Sequence, residues 1–395
     1  MRQLRILLDP LARRLRASPF ASRLWARYRS HRLEANARRI LARGDGRADR
    51  LPAGVVYEST MRCNLHCEFC YVGDLLNLEG EWRQELTLEV LKRAFPQQDG
   101  LQISLTGGEV FVRKDIISAL ELFRDKGYVA GYLTTNGTAI TDERADALAR
   151  LALQGFLKHI SVSIDGPPAV HDVARGATGT FERTAEGLTR LQDASRRIGA
   201  PLRVSINTTV AAQSIDTLDQ MVDVADELGV DAIGLNHLMY STPDEVDETV
   251  RLVGASDRSV IATYVTRDPG VTPDQVRTKV AALQEKCRLR GIRFDFRPRV
   301  WPELVEPYYT AGSPVEGRCL YPFRQARVGF SGKVFFCPFI RVEVGDLTTQ
   351  TLEEAWNSER YVQLRRRLLE HKLFPVCRRC CKVELTRSPP AASLR

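Results

Sequence analysis

The stretch Met61-Arg62-Cys63-Asn64-Leu65-His66-Cys67-Glu68-Phe69-Cys70-Tyr71 sets three cysteines in a C-x3-C-x2-C spacing. Thiolates select zinc or iron–sulfur clusters. A closed structural zinc site takes four protein ligands, so three leave one coordination position open. The spacing alone fits either three legs of a zinc site or a cubane cluster with one iron left free. What surrounds the motif decides which scaffold presents it.

Immediately upstream, VVYEST (55–60) reads as a strand. The pattern recurs at LQISLTG (101–107), VAGYLTTN (129–136), HISVSID (159–165), RVSINTTV (203–210) and DAIGLNHL (231–238). Helical patterns fall between these runs, at about 87–95, 114–126, 142–154, 181–197 and 215–228. Strand–helix alternation with β-rich apolar runs means a parallel sheet. Six such units predict an α/β fold of the barrel or partial-barrel kind, in which chemistry gathers at the C-terminal ends of the strands. The unusual residues fall there: Cys63–Cys70 after the first strand, Gly107-Gly108-Glu109 after the second, Thr135-Asn136-Gly137 after the third, Asp165-Gly166 after the fourth. The chain divides into a basic helical arm (1–50), a barrel core (51–240), a bridging segment (241–310) with a helix over 273–290 and a strand over 292–297, and a cysteine- and loop-rich domain (311–395).

Nine cysteines in tight groups, in a chain without an export signal, read as metal ligands in a reducing, cytoplasmic compartment rather than as a disulfide framework. No run of about 18 apolar residues predicts a transmembrane helix. The net charge of +8 is uneven: residues 1–50 hold fourteen arginines against four acidic residues, leaving the remainder slightly acidic. Leu4, Leu7, Leu8, Leu11 and Leu15 share one face of a predicted helix, and Phe20, Leu24, Trp25 and Tyr28 resume the stripe. Such an arm either packs on the body or lies on an anionic membrane surface, with RNA binding as a third reading. Gly44-Asp45-Gly46 reads as a linker.

Taken together, MRCNLHCEFCY (61–71), LTGGEVFVRKD (105–115), TTNGT (134–138) and SVSIDGPPAVHDVARGATGTF (161–181) resemble the radical S-adenosylmethionine (radical SAM) superfamily over about residues 55–240. The resemblance implies a partial (β/α)6 barrel whose first [4Fe–4S] cluster is held by Cys63, Cys67 and Cys70. Its free iron would bind S-adenosylmethionine, which one electron cleaves to a 5′-deoxyadenosyl radical. It also implies that Gly107, Gly108 and Glu109 meet the amino group of S-adenosylmethionine and that Phe69 lies near its adenine. Asn136, Ser163 and Asn207 stand at strand ends within reach of ribose or carboxylate, and Arg175 is a further candidate for the carboxylate. Glycines permit close backbone approach, and a carboxylate can accept from an ammonium; a tight turn and strand-ending hydrogen bonds are the plainer readings of these residues. Val110 stands where the family often has proline.

Cys319, Gly332, Cys337 and Cys377-x2-Cys380 resemble the SPASM/twitch extension of the same enzymes. Too few cysteines follow for two auxiliary clusters, so the resemblance implies a twitch-type domain with one [4Fe–4S] cluster on Cys319, Cys337, Cys377 and Cys380. Cys381 is an alternative to Cys380, and a zinc knuckle an alternative to the cluster. Cys287, in AALQEKCRLR, reads as a packing residue. His237, Tyr240, Arg297 and Arg299 are candidates for the cavity wall, more readily structural than catalytic.

The implied activity is a radical SAM oxidoreductase that takes hydrogen from a small molecule or lipid, with the auxiliary cluster accepting the remaining electron. A reductase, flavodoxin or ferredoxin would supply electrons. Maturation of a ribosomally made peptide is the alternative within the family. A zinc protein with a nucleic-acid-binding arm is the alternative outside it.

Overall fold

The computed structural model describes residues 35–80 and 84–386, together with His31. Six parallel strands follow the predicted order: β1 (Gly54–Thr60), β2 (Gln102–Gly107), β3 (Val129–Thr135), β4 (His159–Ser163), β5 (Arg203–Thr209) and β6 (Ala232–Asn236). The alternation of side chains makes this a barrel wall. Ile160, Val162 and Ile206 are wholly buried on one face, while Ser161, Ser205 and Asn207 on the other line an internal cavity. Helices Ile116–Asp125, Asp142–Leu153 and Thr180–Ile198 connect successive strands. Thr141 starts the second of these, its Oγ1 accepting from Arg144 N at 3.3 Å.

The sheet does not stop at residue 240. After the short parallel pair β7 (Tyr240–Ser241) and β8 (Tyr264–Val265), strand β9 (Arg293–Arg297) pairs with β6 in parallel, Ala232 opposite Arg293 and Asn236 opposite Arg297. The bridging segment therefore supplies barrel wall. It also holds a helix that periodicity alone missed, Pro243–Val253, started by a capping box between Thr242 and Glu245. The predicted helix at 273–290 is present as Pro273–Arg290.

The C-terminal part contributes β10 (Gly317–Cys319), β11 (Gln325–Val328), β12 (Lys333–Phe335), β13 (Glu343–Asp346) and β14 (Val383–Leu385). Strand β11 joins the free edge of β1 in parallel, Val56 opposite Arg327, and β12 and β13 extend it antiparallel. One sheet thus runs β13-β12-β11-β1-β2-β3-β4-β5-β6-β9. Strand β10 pairs separately with β14, Cys319 opposite Val383. A 13-residue helix, Glu359–His371, makes this region less loop-rich than its sequence reads.

The leucine and aromatic stripe of the arm lies outside the described residues. Its last part, residues 35–43, is helical, with Ala37 and Ile40 buried in the main core. The Gly44-Asp45-Gly46 segment is fastened rather than free. Arg365 Nη1 donates to Gly46 O at 3.1 Å, Arg366 Nε to Asp45 O at 2.7 Å, and Asn357 brackets the Ala48 backbone at 2.8 and 2.9 Å. Among the described residues no helix is long and apolar enough to cross a membrane.

Candidate functional site

The three-cysteine loop leaves β1 at its C-terminal end and is held by its backbone. Asn77, itself at φ 59°, accepts from Cys63 N and donates to Cys63 O, both at 2.9 Å. Cys70 N donates to Cys67 O at 3.1 Å and His66 N to Arg175 O at 3.4 Å. Gly107 and Gly108 explain how β2 ends against this loop. Gly108 N donates to Thr60 O and Glu109 N to Arg62 O, each at 2.9 Å. A Cβ at Gly107 would sit 2.0 Å from Thr60 O, and one at Gly108 2.2 Å from Arg62 O. The close approach the glycine pair permits is thus to the backbone entering the cysteine loop.

Glu109 is buried and already receives three protein donors: Phe111 N at 3.1 Å, Thr135 Oγ1 at 2.7 Å and Asn136 N at 2.7 Å. Burial pushes its carboxyl up, and those bonds oppose the push. A carboxylate has about four acceptor positions, so room for a further donor remains. Asn136 uses its amide to bind Asn64 Oδ1 at 2.9 Å and accepts from Thr138, joining β3 to the loop. Ser163 and Asn207 are register partners on β4 and β5. Ser163 is buried, and Asn207 accepts from Asn236 Nδ2 at 3.0 Å. Arg175 meets Asp165 in a buried ion pair, donates to Cys67 Sγ at 3.5 Å and lies 5.8 Å from the centre of the Phe69 ring. That pair is made through Asp165 Oδ2 and Arg175 Nη2, and Arg175 Nε has no hydrogen-bond partner.

All nine cysteines are free. Burial raises Cys63 and Cys70 to about 11, as it does the packing residue Cys287. Among the described residues no three His, Cys, Asp or Glu side chains converge on one metal ion. In the C-terminal part burial again dominates: Cys319 rises to about 12 and Cys337 to about 11, and Cys377 rises well above its ordinary value; Cys337 adds to the rise of Cys319, and Cys319 and Cys337 to that of Cys377. Cys380 is raised by a hydrogen bond with Cys381 and by burial, with Cys319 and Cys377 adding to it. Cys381 is shifted the other way. That hydrogen bond lowers its thiol, with Lys382, Arg297 and Arg327 adding to the effect.

Cys381 and Lys382 face the barrel lumen, a cavity of about 590 Å³. The lumen residues obey the period of two: Ser161, Ser205 and Gly234 leave space at mid-height, His159, Arg203 and Arg293 stand at the strand starts, and Asn207, Asn236 and Arg297 near the ends. His159 Nε2 is 2.7 Å from Ser205 Oγ. Tyr71, directly after Cys70, reaches the same cavity, receives Arg327 Nη2 at 3.2 Å and packs on Phe339. Behind it, Glu58 is enclosed by Arg327 and Arg341 at 2.6–3.0 Å. Burial would raise Glu58, but the two guanidiniums hold it down at about 2.

Two expected wall residues are elsewhere. His237 is buried beside Tyr309 OH at 2.8 Å, and burial lowers it to about 3. Tyr240 is buried and donates to Tyr308 O at 2.8 Å. Both sit past the end of β6, where the chain turns into the core. Arg297 does line the lumen, whereas Arg299 stacks 3.8 Å from the Trp301 ring centre over an outer cavity. The lumen residues His159 and Arg203 were missed, although His-x-Ser-x-Ser (159–163) and Arg-x-Ser-x-Asn (203–207) carry their polar alternation openly.

Residues 57–225 match the model of the radical SAM superfamily, and residues 319–381 that of SPASM, an iron–sulfur cluster-binding domain. The AdoMet-dependent heme synthase of Methanosarcina barkeri is 28% identical over 328 residues, covering 80% of this chain and 85% of that protein. The PqqA peptide cyclase of Streptomyces rochei is 32% identical over 191 residues, covering 48% of this chain and 49% of that protein. In fold, the chain resembles Streptococcus suis SuiB bound to precursor peptide SuiA, with a TM-score of 0.57 at 15% identity over 80% of this chain and 67% of that one.

Proposed function

Because the chain belongs to the radical SAM superfamily and carries a C-terminal SPASM domain, with [4Fe–4S] clusters and S-adenosylmethionine as its cofactors, we propose that it oxidises a substrate held inside the barrel lumen. Cys63, Cys67 and Cys70 would hold one cluster, and Cys319, Cys337, Cys377 and Cys380 a second. The chemistry these groups supply when bound is one-electron cleavage of S-adenosylmethionine, hydrogen abstraction from an unactivated carbon, and acceptance of the second electron. Glu109 would receive the amino group of the methionine moiety of S-adenosylmethionine at its remaining acceptor position while its other bonds fix the ends of β2 and β3. Asn207 and Ser163 would face the same end of the lumen, and Phe69 would carry the adenine. The walls of β4, β5, β6 and β9 would orient the substrate and exclude water.

The observation that carries this reading is the lumen itself. It runs from the strand ends beside Tyr71 to Cys381, the residue next to Cys380. Its volume suits a small molecule, including one derived from a lipid, or a side chain of a peptide. The heme synthase relative, matched over most of both chains, favours the small molecule; the peptide cyclase, matched over half, keeps peptide maturation as the second reading. A flavodoxin- or ferredoxin-type donor would reduce the first cluster, and the arginine-rich arm would be the surface for any membrane contact.

Anaerobically purified protein should hold about eight irons per chain and release 5′-deoxyadenosine on reduction. Replacing Cys63, Cys67 and Cys70 together by alanine should halve the iron and abolish 5′-deoxyadenosine. Colourless protein with stoichiometric zinc, or cleavage persisting in the triple variant, would overturn the assignment.

A further inference from the structure

We propose that the lumen is built to receive the carboxylate groups of an anionic substrate, with Arg203 at its floor and Arg297 and Lys382 on its side wall as the recognition residues. This rests on the reading of the lumen as the substrate cavity.

Charge is the first support. Arg203, Arg293, Arg297, Arg327 and Lys382 line the cavity, against Asp295 as the one acid among the lining residues. Arg327 is neutralised from behind by buried Glu58. Arg293 meets Asp231 at 2.8 Å and Arg297 meets Asp295 at 3.5 Å, each in a pair whose side chains are both more than half exposed and whose attraction water screens. Lys382 has the Tyr132 ring, 5.3 Å from Nζ, and the neighbouring Cys381 thiol rather than a carboxylate. Among the described residues the Arg203 guanidinium meets no carboxylate and no hydrogen-bond acceptor, and Arg203 stands opposite His159 in the β4–β5 register. Arg203, Arg293 and Arg297 are exposed, so water moderates their mutual repulsion, but like charges gathered around one cleft still direct their field at whatever enters it. An anion relieves that repulsion; a neutral substrate would leave it in place.

Position is the second support. Arg203 begins β5 and Asn207 lies four residues on, so the two are separated by roughly 13 Å of strand. The cysteine loop and Glu109 are at the Asn207 end. Arg203 is therefore too far down the barrel to serve the carboxylate of S-adenosylmethionine near that loop, and its charge is available to a second molecule. Small residues between the two ends, Ser161, Ser205 and Gly234, leave the path open. His159 reports the same field: burial, with Arg203, Arg297 and Arg293 adding to it, lowers it to about 4.

Binding of model anions to the full-length, cluster-loaded protein tests this without turnover. The probes are tricarballylate, its trimethyl ester, and acetyl-Glu-Glu-Glu-amide, followed by calorimetry at two salt concentrations. Tricarballylate or the peptide should bind, more weakly at high salt, and the ester should not. Binding by the free acid assigns the carboxylates to a small molecule; binding by the peptide alone assigns them to acidic side chains of a polypeptide. Arg203→Gln/Arg297→Gln should weaken binding at least tenfold, and Arg203→Lys/Arg297→Lys should retain most of it, both with unchanged iron content. An exposed control, Arg258→Gln, should bind as the parent does. Binding by no anion, or equal binding by the parent and the Gln variant, would overturn the proposal. If the anion binds in the lumen but 5′-deoxyadenosine is never formed, the function fails and the recognition site stands.

Discussion

At the scale of single residues, two carboxylates in closely similar burial do opposite work. Glu58 is enclosed by two guanidiniums and held at about 2, whereas Glu109 is surrounded by neutral donors and pushed up by burial. Glu58→Gln would leave Arg327 and Arg341 facing each other without a counter-charge, which should cost about 3–5 kcal/mol in denaturant unfolding at neutral pH. The sign follows from the depressed value. The stabilisation by Glu58 is complete above its ordinary value of 4.5 and fades as pH falls toward 2, so between pH 5 and pH 3 the parent should lose stability more steeply than the Gln variant. For Glu109→Gln, loss of a charge-assisted bond worth about 1.5–3 kcal/mol should weaken S-adenosylmethionine binding roughly ten- to a hundredfold with iron unchanged. Unaltered affinity would mean that Glu109 only ties Thr135 and Asn136 to the β2 end.

At the scale of elements, the segment between Cys377 and Cys380 depends on one side chain. Arg379 is wholly buried and donates to Tyr308 O, Thr310 O, Ser313 O and Glu245 Oε1 at 2.7–2.9 Å. Lysine has a single nitrogen and cannot span those acceptors. Arg379→Lys should therefore cost about 2–4 kcal/mol and release the C-terminal cluster first. Iron would fall by about half while 5′-deoxyadenosine formation persists; loss of both together would refute a separable C-terminal site. The six barrel strands were legible in the sequence because each is a short β-rich run bounded by turn residues. The Pro243–Val253 helix was missed although Val246, Val250 and Val253 share one buried face, because that stripe is short and lies among acidic residues, and the cap at Thr242 and Glu245 is its clearer signal. The pairing of β11 with β1 and of β9 with β6 was beyond sequence reading, since nothing local in Gln325–Val328 names Gly54–Tyr57 as its neighbour. The lumen charge was half legible: the arginines were visible on strands, but the side on which each lies follows from register.

At the scale of the whole molecule, the arm and the body meet where residues 35–43 bury Ala37 and Ile40 in the core. Removing residues 1–43 should expose that apolar seat, so the truncated protein should aggregate or unfold at lower denaturant, and the full-length chain should ignore anionic vesicles at physiological salt. Vesicle binding that weakens as salt screens the arginines over about 8–10 Å would instead mark the arm as a membrane contact. The sheet order has a consequence for how the molecule is made. Strand β1 is flanked by β11, and the lumen wall is completed by Cys381 and Lys382. At about 5–20 residues per second, a ribosome needs roughly 13–50 s to travel from the first cysteine loop to β11. Through that interval the nascent polypeptide displays Cys63, Cys67 and Cys70 on an open half-shell, exposed to oxygen and to adventitious metals. Maturation of the first centre is therefore best deferred until translation has ended, and expression under conditions that delay iron delivery until the chain is finished should yield more completely loaded protein than expression with iron supplied throughout.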